Sequence, residues 1–307
     1  METVIETRAL TKRFGERAAV DGVDLVVPAG TAFGFLGPNG AGKTTLIRTL
    51  LGLTHPSSGD VSLLGLPQPA KRVEALARVG AIVEEPKFHP HLTGRENLKI
   101  VAAARDGSAE ARIPESLERV GLAQRADDRV KTYSLGMRQR LGIARCLLAD
   151  PALLILDEPM NGLDPAGILE VRHLIRAFVA EGRTVFLSSH LLDEVEKTCD
   201  QIAIVDRGRI IVQGPVGEIA ATGRPTVLIE IDDSAAAHGL FAADARVTNI
   251  EEEGAGALRL TLGDGLAPAE INRLLVGAGI AVSRLEPARA TLEETFLAIT
   301  SRLEASE

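Results

Sequence analysis

The 307-residue sequence contains no tryptophan and one tyrosine, and aromatic residues make up only 3% of it. Its core must therefore be built from Ala, Val, Leu and Ile, a set that suits helices packed on buried parallel strands. Cysteine is scarce as well. Cys146 and Cys199 are too few and too far apart for a disulfide framework or a metal cluster, and Cys146, among apolar neighbours, reads as core. Such usage fits a reducing cytoplasm. Positive charge is not in excess either: 34 Lys and Arg stand against 42 Asp and Glu, a net charge of -8. A basic face for a nucleic-acid backbone is not expected, so nucleic acid is not a predicted partner.

Long hydrophobic runs are also missing. No segment approaches the roughly 18 apolar residues of a membrane span, since the stretch from Leu147 to Leu156 is cut by Asp150 and Pro151. The opening Met-Glu-Thr-Val-Ile-Glu has no basic region followed by an apolar stretch, so no signal peptide is expected. Any membrane association is predicted to be peripheral.

What is present is an ordinary globular composition, 45% apolar and 25% charged, in a chain long enough for two domains of the usual ~100–200 residues. From Thr3 to Val27 the pattern predicts short alternating strands with turns at Phe14-Gly15 and Asp21-Gly22, an N-terminal β layer. Thr31–Leu36, Val79–Val83, Leu153–Leu156, Thr184–Leu187 and Ile202–Val205 read as buried strands. A helical insert is expected over about 86–146, with Pro114 starting one of its helices. Asp206-Arg207-Gly208-Arg209 signals a hairpin. Thr222-Gly223-Arg224-Pro225 reads as a linker between a domain at 1–220 and an accessory domain at 225–307. In the latter, strand 226–231, helix 235–242, strands 245–252 and 257–262, helix 268–278, strand 281–286 and a closing helix 291–303 predict a ferredoxin-like α+β module.

The strongest motif is Gly37-Pro38-Asn39-Gly40-Ala41-Gly42-Lys43-Thr44, followed by Thr45, which fits G-x-x-x-x-G-K-[ST]. Backbone N–H groups converge on phosphate oxygens only where no Cβ obstructs the loop, hence the glycines. Lys43 adds a point charge for the β- and γ-phosphates and Thr44 a hydroxyl for Mg²⁺. A predicted strand before the loop and a predicted helix after it, with its positive end on the anion, complete the context. Leu153–Leu156 then runs into Asp157, placed to hold Mg²⁺, and Glu158, placed to polarise an attacking water. The expected fold is α/β, a P-loop ATPase core with the N-terminal antiparallel layer, the helical insert and the C-terminal module.

These residues belong to an ordered set that resembles the ATP-binding subunits of ABC transporters over residues 3–220. Tyr133-Ser134-Leu135-Gly136-Met137-Arg138-Gln139-Arg140 stands where that family has its Leu-Ser-Gly-Gly-Gln signature. Asn161-Gly162-Leu163-Asp164 corresponds to its D-loop and Ser188-Ser189-His190 to its switch histidine. The resemblance implies that Phe14 stacks on adenine and that His190 contacts the γ-phosphate. It also implies that Ser134, which suits a helix N-cap, faces with Gly136 and Asp164 the ATP held by a second subunit. One copy of each motif then implies a dimer, expected to be a homodimer, with a different ATP-binding subunit as the open alternative.

Two departures stand out. Glu84 occupies the place of a Gln that senses Mg²⁺ and the water, and Leu135 and Met137 replace a Gly and the Gln of the signature. A carboxylate at Glu84 binds Mg²⁺ more strongly than an amide but adds negative charge near phosphates, and the sequence does not say which effect wins. With Glu84-Glu85-Pro86-Lys87-Phe88 and Ala290-Thr291-Leu292-Glu293-Glu294-Thr295-Phe296, these departures resemble the subgroup that exports antibiotics of the bacitracin and daunorubicin type. The implied protein is an ATPase at the cytoplasmic face of the membrane, driving a separate permease docked near Lys87–Leu98. The alternative is a soluble ATPase of the same type acting on nucleic acid, ribosomes or cofactor assembly. Ribosomal members normally carry two cassettes in one chain and chromosomal ones long coiled coils, and the sequence has neither.

Overall fold

Period-two burial builds the first sheet. In the computed structural model, which describes residues 2–105, 107–221, 225–254, 256–263, 265–288, 292–293 and 295–296, β1 (Thr3–Phe14) and β2 (Arg17–Pro28) form one long antiparallel hairpin. Val23, Leu25 and Val27 point into the core while Gly22, Asp24 and Val26 face out. The expected turn at Asp21-Gly22 is instead inside β2. Thr7 faces Leu25 and Leu10 faces Val23, so β1 carries one extra residue there, at left-handed Ala9 (φ 46°); Lys12 then faces Val20, so β2 carries the next extra residue, at left-handed Gly22 (φ 64°). The Ala9 and Gly22 amides donate to Asp24 Oδ1 and Thr11 Oγ1.

The chain continues through β3 (Ala32–Leu36) and α1 (Lys43–Leu50), then β4 (Ser58–Leu63) and β5 (Leu66–Gln68), α2 (Arg72–Ala77) and β6 (Val79–Ile82). Three helices follow, α3 (Gly94–Ala103), α4 (Ile113–Arg119) and α5 (Leu135–Leu147). Thr93 and Glu96 form a reciprocal capping box at the start of α3, and Pro114 sits in the first turn of α4. Then come β7 (Leu153–Leu156), α6 (Pro165–Ala180), β8 (Thr184–Ser189), α7 (Leu192–Thr198), β9 (Gln201–Asp206) and β10 (Arg209–Pro215).

The antiparallel sheet has the order β2-β1-β4-β5, and a second sheet the order β10-β9-β3-β8-β7-β6. In the second, β9, β3, β8, β7 and β6 are parallel and only β10 is antiparallel. Every residue of β3, β7 and β8 is buried, as expected of a parallel sheet covered on both faces. Phe33, Phe35 and Phe186 pack at its centre, with ring centroids 5.9 Å and 5.8 Å apart across β3 and β8. Among the described residues no helix is long and apolar enough to cross a membrane.

The chain divides into two compact units, Met1–Pro215 and Val216–Glu307. The second comprises α8 (Val216–Ala221), β11 (Thr226–Ile231), α9 (Ser234–Ala242), β12 (Val247–Glu252), β13 (Ala257–Leu262), α10 (Pro268–Gly277) and β14 (Val282–Ala288). Its sheet is antiparallel with the order β12-β13-β11-β14. Val227, Ile229, Leu258 and Leu260 meet Phe241, Ile271 and Leu275 in a separate core. Residues 222–224 of the expected linker, and most of the closing helix expected over 291–303, lie outside the described residues.

Candidate functional site

The parallel strands set the site. The loop Gly37–Gly42 leaves the end of β3 and enters α1, whose first residue is Lys43. Gly40 (φ 85°) and Gly42 (φ 106°) are left-handed, and a Cβ on Gly42 would lie 2.1 Å from the Ala19 carbonyl oxygen. The loop is stitched to its surroundings by Ala41 N–H to Pro38 O at 3.2 Å and Gly208 N–H to Ala41 O at 2.9 Å. Gly208 lies in the β9–β10 hairpin turn that Asp206–Arg209 signalled, and Asp21 N–H donates to its carbonyl. Lys43 is buried. Its ammonium donates to Gly37 O at 2.6 Å and Pro38 O at 3.3 Å and sits 3.1 Å from Glu158 Oε1.

The neighbouring strands deliver the acids. Asp157 follows β7 and is buried; Ser188, near the end of β8, donates to Asp157 Oδ1 at 2.5 Å and accepts from the Glu158 amide at 2.9 Å. Glu158 is left-handed (φ 48°), and its Oε2 lies 2.8 Å from His190 Nδ1. Lys43, Glu158 and His190 thus form one chain of contacts at the carboxyl ends of β3, β7 and β8, where open α/β sheets bind ligands.

A cavity of about 490 Å³ opens here, lined by Phe14, Arg17, Ala19, Asn39, Gly40, Gly42, Lys43, Thr44, Thr45 and Glu158. Phe14 is 56% exposed rather than core, with the Lys12 ammonium 4.9 Å from its ring centroid on one face. Gly37, Pro38 and Ala41 frame the loop without lining the cavity, and Asp157 and His190 adjoin it through Ser188 and Glu158. Glu84 is elsewhere. It is left-handed (φ 62°), 61% exposed at its side chain and ion-paired to Arg48 of α1, while Glu85 lies 3.6 Å from Arg138 of α5.

Ser134, Gly136 and Asp164 form a second group. Ser134 caps α5 by accepting from Met137 N–H at 3.2 Å, and Asp164 caps α6 by accepting from Gly167 N–H at 2.9 Å. A Cβ on Gly162 would meet the Leu135 side chain at 3.2 Å, so the start of α5 packs on the segment before α6. Neither lines the cavity.

Sequence reasoning missed Arg17, Ala19 and the bridging role of Ser188. Phe14-Gly15-Glu16-Arg17 carried a usable signal: a two-residue turn makes its flanking residues cross-strand partners, and Phe14 faces Arg17. Taken together, the loop amides and Lys43 suit a phosphate chain, and Glu158 with His190 suits proton transfer beside it. The fold and loop define a P-loop nucleotide-binding protein.

Residues 20–161 match the ABC transporter family. The chain is 40% identical over 298 residues to the bacitracin transport ATP-binding protein BcrA of Bacillus licheniformis, across 97% of each chain. It is 50% identical over 212 residues to the uncharacterized ABC transporter ATP-binding protein YhcH of Bacillus subtilis (strain 168), across 69% of this chain and 70% of that one. Among solved structures, an ATP binding subunit of an ABC transporter aligns with a TM-score of 0.63 at 30% identity, over 71% of this chain and 92% of that one. The cbiO1 protein from Clostridium perfringens, part of the ABC transporter complex cbiONQ, aligns at 0.65 and 27%, over 71% and 91%. The chain belongs to the ABC transporter family as an ATP-binding, ATP-hydrolysing member.

Proposed function

We propose that this chain powers the export of a small antibiotic or drug-like molecule through a separate membrane permease, working as a pair of identical ATPase subunits on the cytoplasmic face of the membrane. The observation that carries the reading is the contact chain Lys43–Glu158–His190 beside the phosphate loop. Full-length identity to a bacitracin transport subunit supports the export role and the class of cargo.

In this reading Gly37–Thr45 hold the triphosphate and Phe14 offers its open face to adenine. Glu158 takes the proton of the attacking water, and His190, bonded to Glu158, contacts the γ-phosphate. The donor chemistry at Thr44 and Asp157 fits Mg²⁺, a hydroxyl and a buried carboxylate being hard oxygen ligands. Among the described residues no cluster of three or more His, Cys, Asp or Glu forms a metal cage, which suits an ion shared with phosphates. Bound there, Mg²⁺ would neutralise charge on the phosphate oxygens. Glu84 is proposed as a further ligand near that ion once it leaves Arg48.

Ser134, Gly136 and Asp164 are assigned to the nucleotide of the partner subunit, which is consistent with their lying outside the cavity lining of their own chain. The ATP-binding domain is assigned to residues 1–220, with the helical insert at about 86–146, although the first compact unit ends at Pro215 and α8 groups with the second. Residues 225–307 form a ferredoxin-like accessory domain, a reading supported by its strand-helix-strand-strand-helix-strand order and antiparallel sheet.

The test is Glu158→Gln, assayed for nucleotide binding and steady-state turnover. The variant is expected to keep ATP affinity and lose at least about 100-fold in turnover, the scale of a positioned general base. Turnover at the wild-type rate would remove Glu158 from the reaction. Co-purification of the tagged protein with a multi-span membrane protein checks the export reading, and recovery with ribosomes or nucleic acid instead would favour the soluble alternative.

A further inference from the structure

The hairpin that presents Phe14 also presents a cation. Phe14 and Arg17 close a two-residue turn as direct register partners, with Gly15 left-handed at φ 59° inside it. Cross-strand partners project from the same face of the ladder, so an aromatic ring and a guanidinium stand side by side. Both line the cavity of the phosphate loop. Arg17 Nη2 donates to Gly40 O at 3.2 Å, which spans the gap between the hairpin and the loop.

Arg17 differs in its pairing from other arginines of this unit. Arg48, Arg138 and Arg140 are matched to Glu84, Glu85 and Glu170, whereas Arg17 forms no ion pair among the described residues. A guanidinium carries five N–H donors, and Gly40 occupies one. The other cation of the cavity, Lys43, is buried at the far end against Gly37, Pro38 and Glu158. The cavity therefore has two cations at two depths, one beneath the loop and one at the mouth beside the aromatic ring.

We infer that Arg17 is a nucleotide-binding residue that holds the phosphate next to the ribose, between a base on Phe14 and the β- and γ-phosphates in the loop. This rests on the reading of the cavity as the ATP site. The position follows from the two anchors: the backbone of Arg17 pairs with the base platform, and its head reaches the loop at Gly40. A contact at that phosphate is common to ATP and ADP. Arg17 thus adds affinity for both nucleotides alike, and Lys43 and Glu158 act at the end where they differ.

Isothermal titration of the full-length chain with Mg-ATP and Mg-ADP tests this with three variants. Arg17→Ala and Arg17→Gln are expected to weaken both nucleotides by about tenfold or more, as for the loss of a charge-assisted phosphate contact. Arg17→Lys is expected to stay within about threefold of wild type because the charge is kept. Glutamine can still donate to Gly40 O. If Arg17→Gln binds like wild type, Arg17 only braces the loop and the inference falls. A loss confined to ATP would place the contact at the γ-phosphate and overturn it too. Wild-type protein binding neither nucleotide would instead overturn the underlying assignment of the cavity. Arg17 is exposed, so unchanged thermal unfolding of Arg17→Ala is expected and separates lost binding from lost folding.

Discussion

The Ser188 hydroxyl donates to Asp157 Oδ1 at 2.5 Å, and the same oxygen accepts the Glu158 amide at 2.9 Å. One buried side chain on β8 therefore fixes two consecutive acids at the end of β7. It orients the Asp157 carboxylate and holds Glu158 in its left-handed backbone, a conformation that costs a non-glycine residue about 1–3 kcal/mol.

Ser188→Ala should then affect turnover more than affinity. It leaves a buried carboxylate oxygen without its donor, a penalty of about 1–3 kcal/mol in stability, and it frees Glu158 to relax away from Lys43 and His190. The expected outcome is at least about tenfold slower ATP turnover with nucleotide affinity within about threefold. Titration calorimetry and steady-state kinetics on one preparation separate the two effects. Unchanged turnover would mean that strand packing alone positions Glu158.

The two left-handed glycines of the phosphate loop should fail differently. Gly42→Ala drives a Cβ to 2.1 Å from the Ala19 carbonyl, a backbone atom that cannot swing aside. Strain and clash together should lower stability by at least about 2 kcal/mol, measurable by urea unfolding. At Gly40 the nearest atom to a new Cβ is a flexible Arg17 nitrogen at 3.9 Å, so Gly40→Ala should lose only about 1 kcal/mol. Equal losses at both positions would contradict this geometry.

What could be read from the sequence were the parts with local causes. β3, β7 and the Val185–Leu187 stretch of β8 are apolar runs because they are buried on both faces, and the phosphate loop is a fixed spacing of glycines before a Lys and a Thr. Asp21-Gly22 was misread because a glycine signals positive φ without saying whether the chain turns or merely bulges. Here it bulges: Leu10 and Lys12 on the opposite strand face Val23 and Val20, and Thr11 between them accepts from the Gly22 amide. Arg17 and Ser188 escaped for a related reason. Their partners Gly40 and Asp157 are 23 and 31 residues away, and no local pattern records a contact made only when strands align.

The two thiols should be silent in the folded protein. Burial pushes the Cys146 thiol up to about 11 and raises Cys199 as well, and each side chain is almost wholly covered. A thiolate is the reactive species, so neither should react with a disulfide reagent at pH 8 until the chain unfolds. Labelling followed over a urea gradient should give two thiols per chain, appearing with the unfolding transition. Rapid labelling of native protein would show that the core around β6 or α7 opens locally.

In the second unit, Asp244 and Arg246 give a pH dependence of definite sign. The Arg246 side chain, and then its amide, hydrogen-bond the Asp244 carboxylate and hold it down at about 2. An unfolded Asp titrates near ~3.9, so between these values the unfolded chain binds more protons than the folded one. The pair's contribution is complete above about pH 4 and is lost as pH falls toward about 2. Asp244→Asn should therefore loosen this unit at pH 7 and differ little from wild type at pH 2. Both groups reach solvent, so the difference should be small and shrink with added salt. Amide hydrogen exchange over residues 226–262, compared between the two proteins at pH 7 and at low pH, reads it directly. A difference that stayed constant or grew on acidification would rule out the pair as its source.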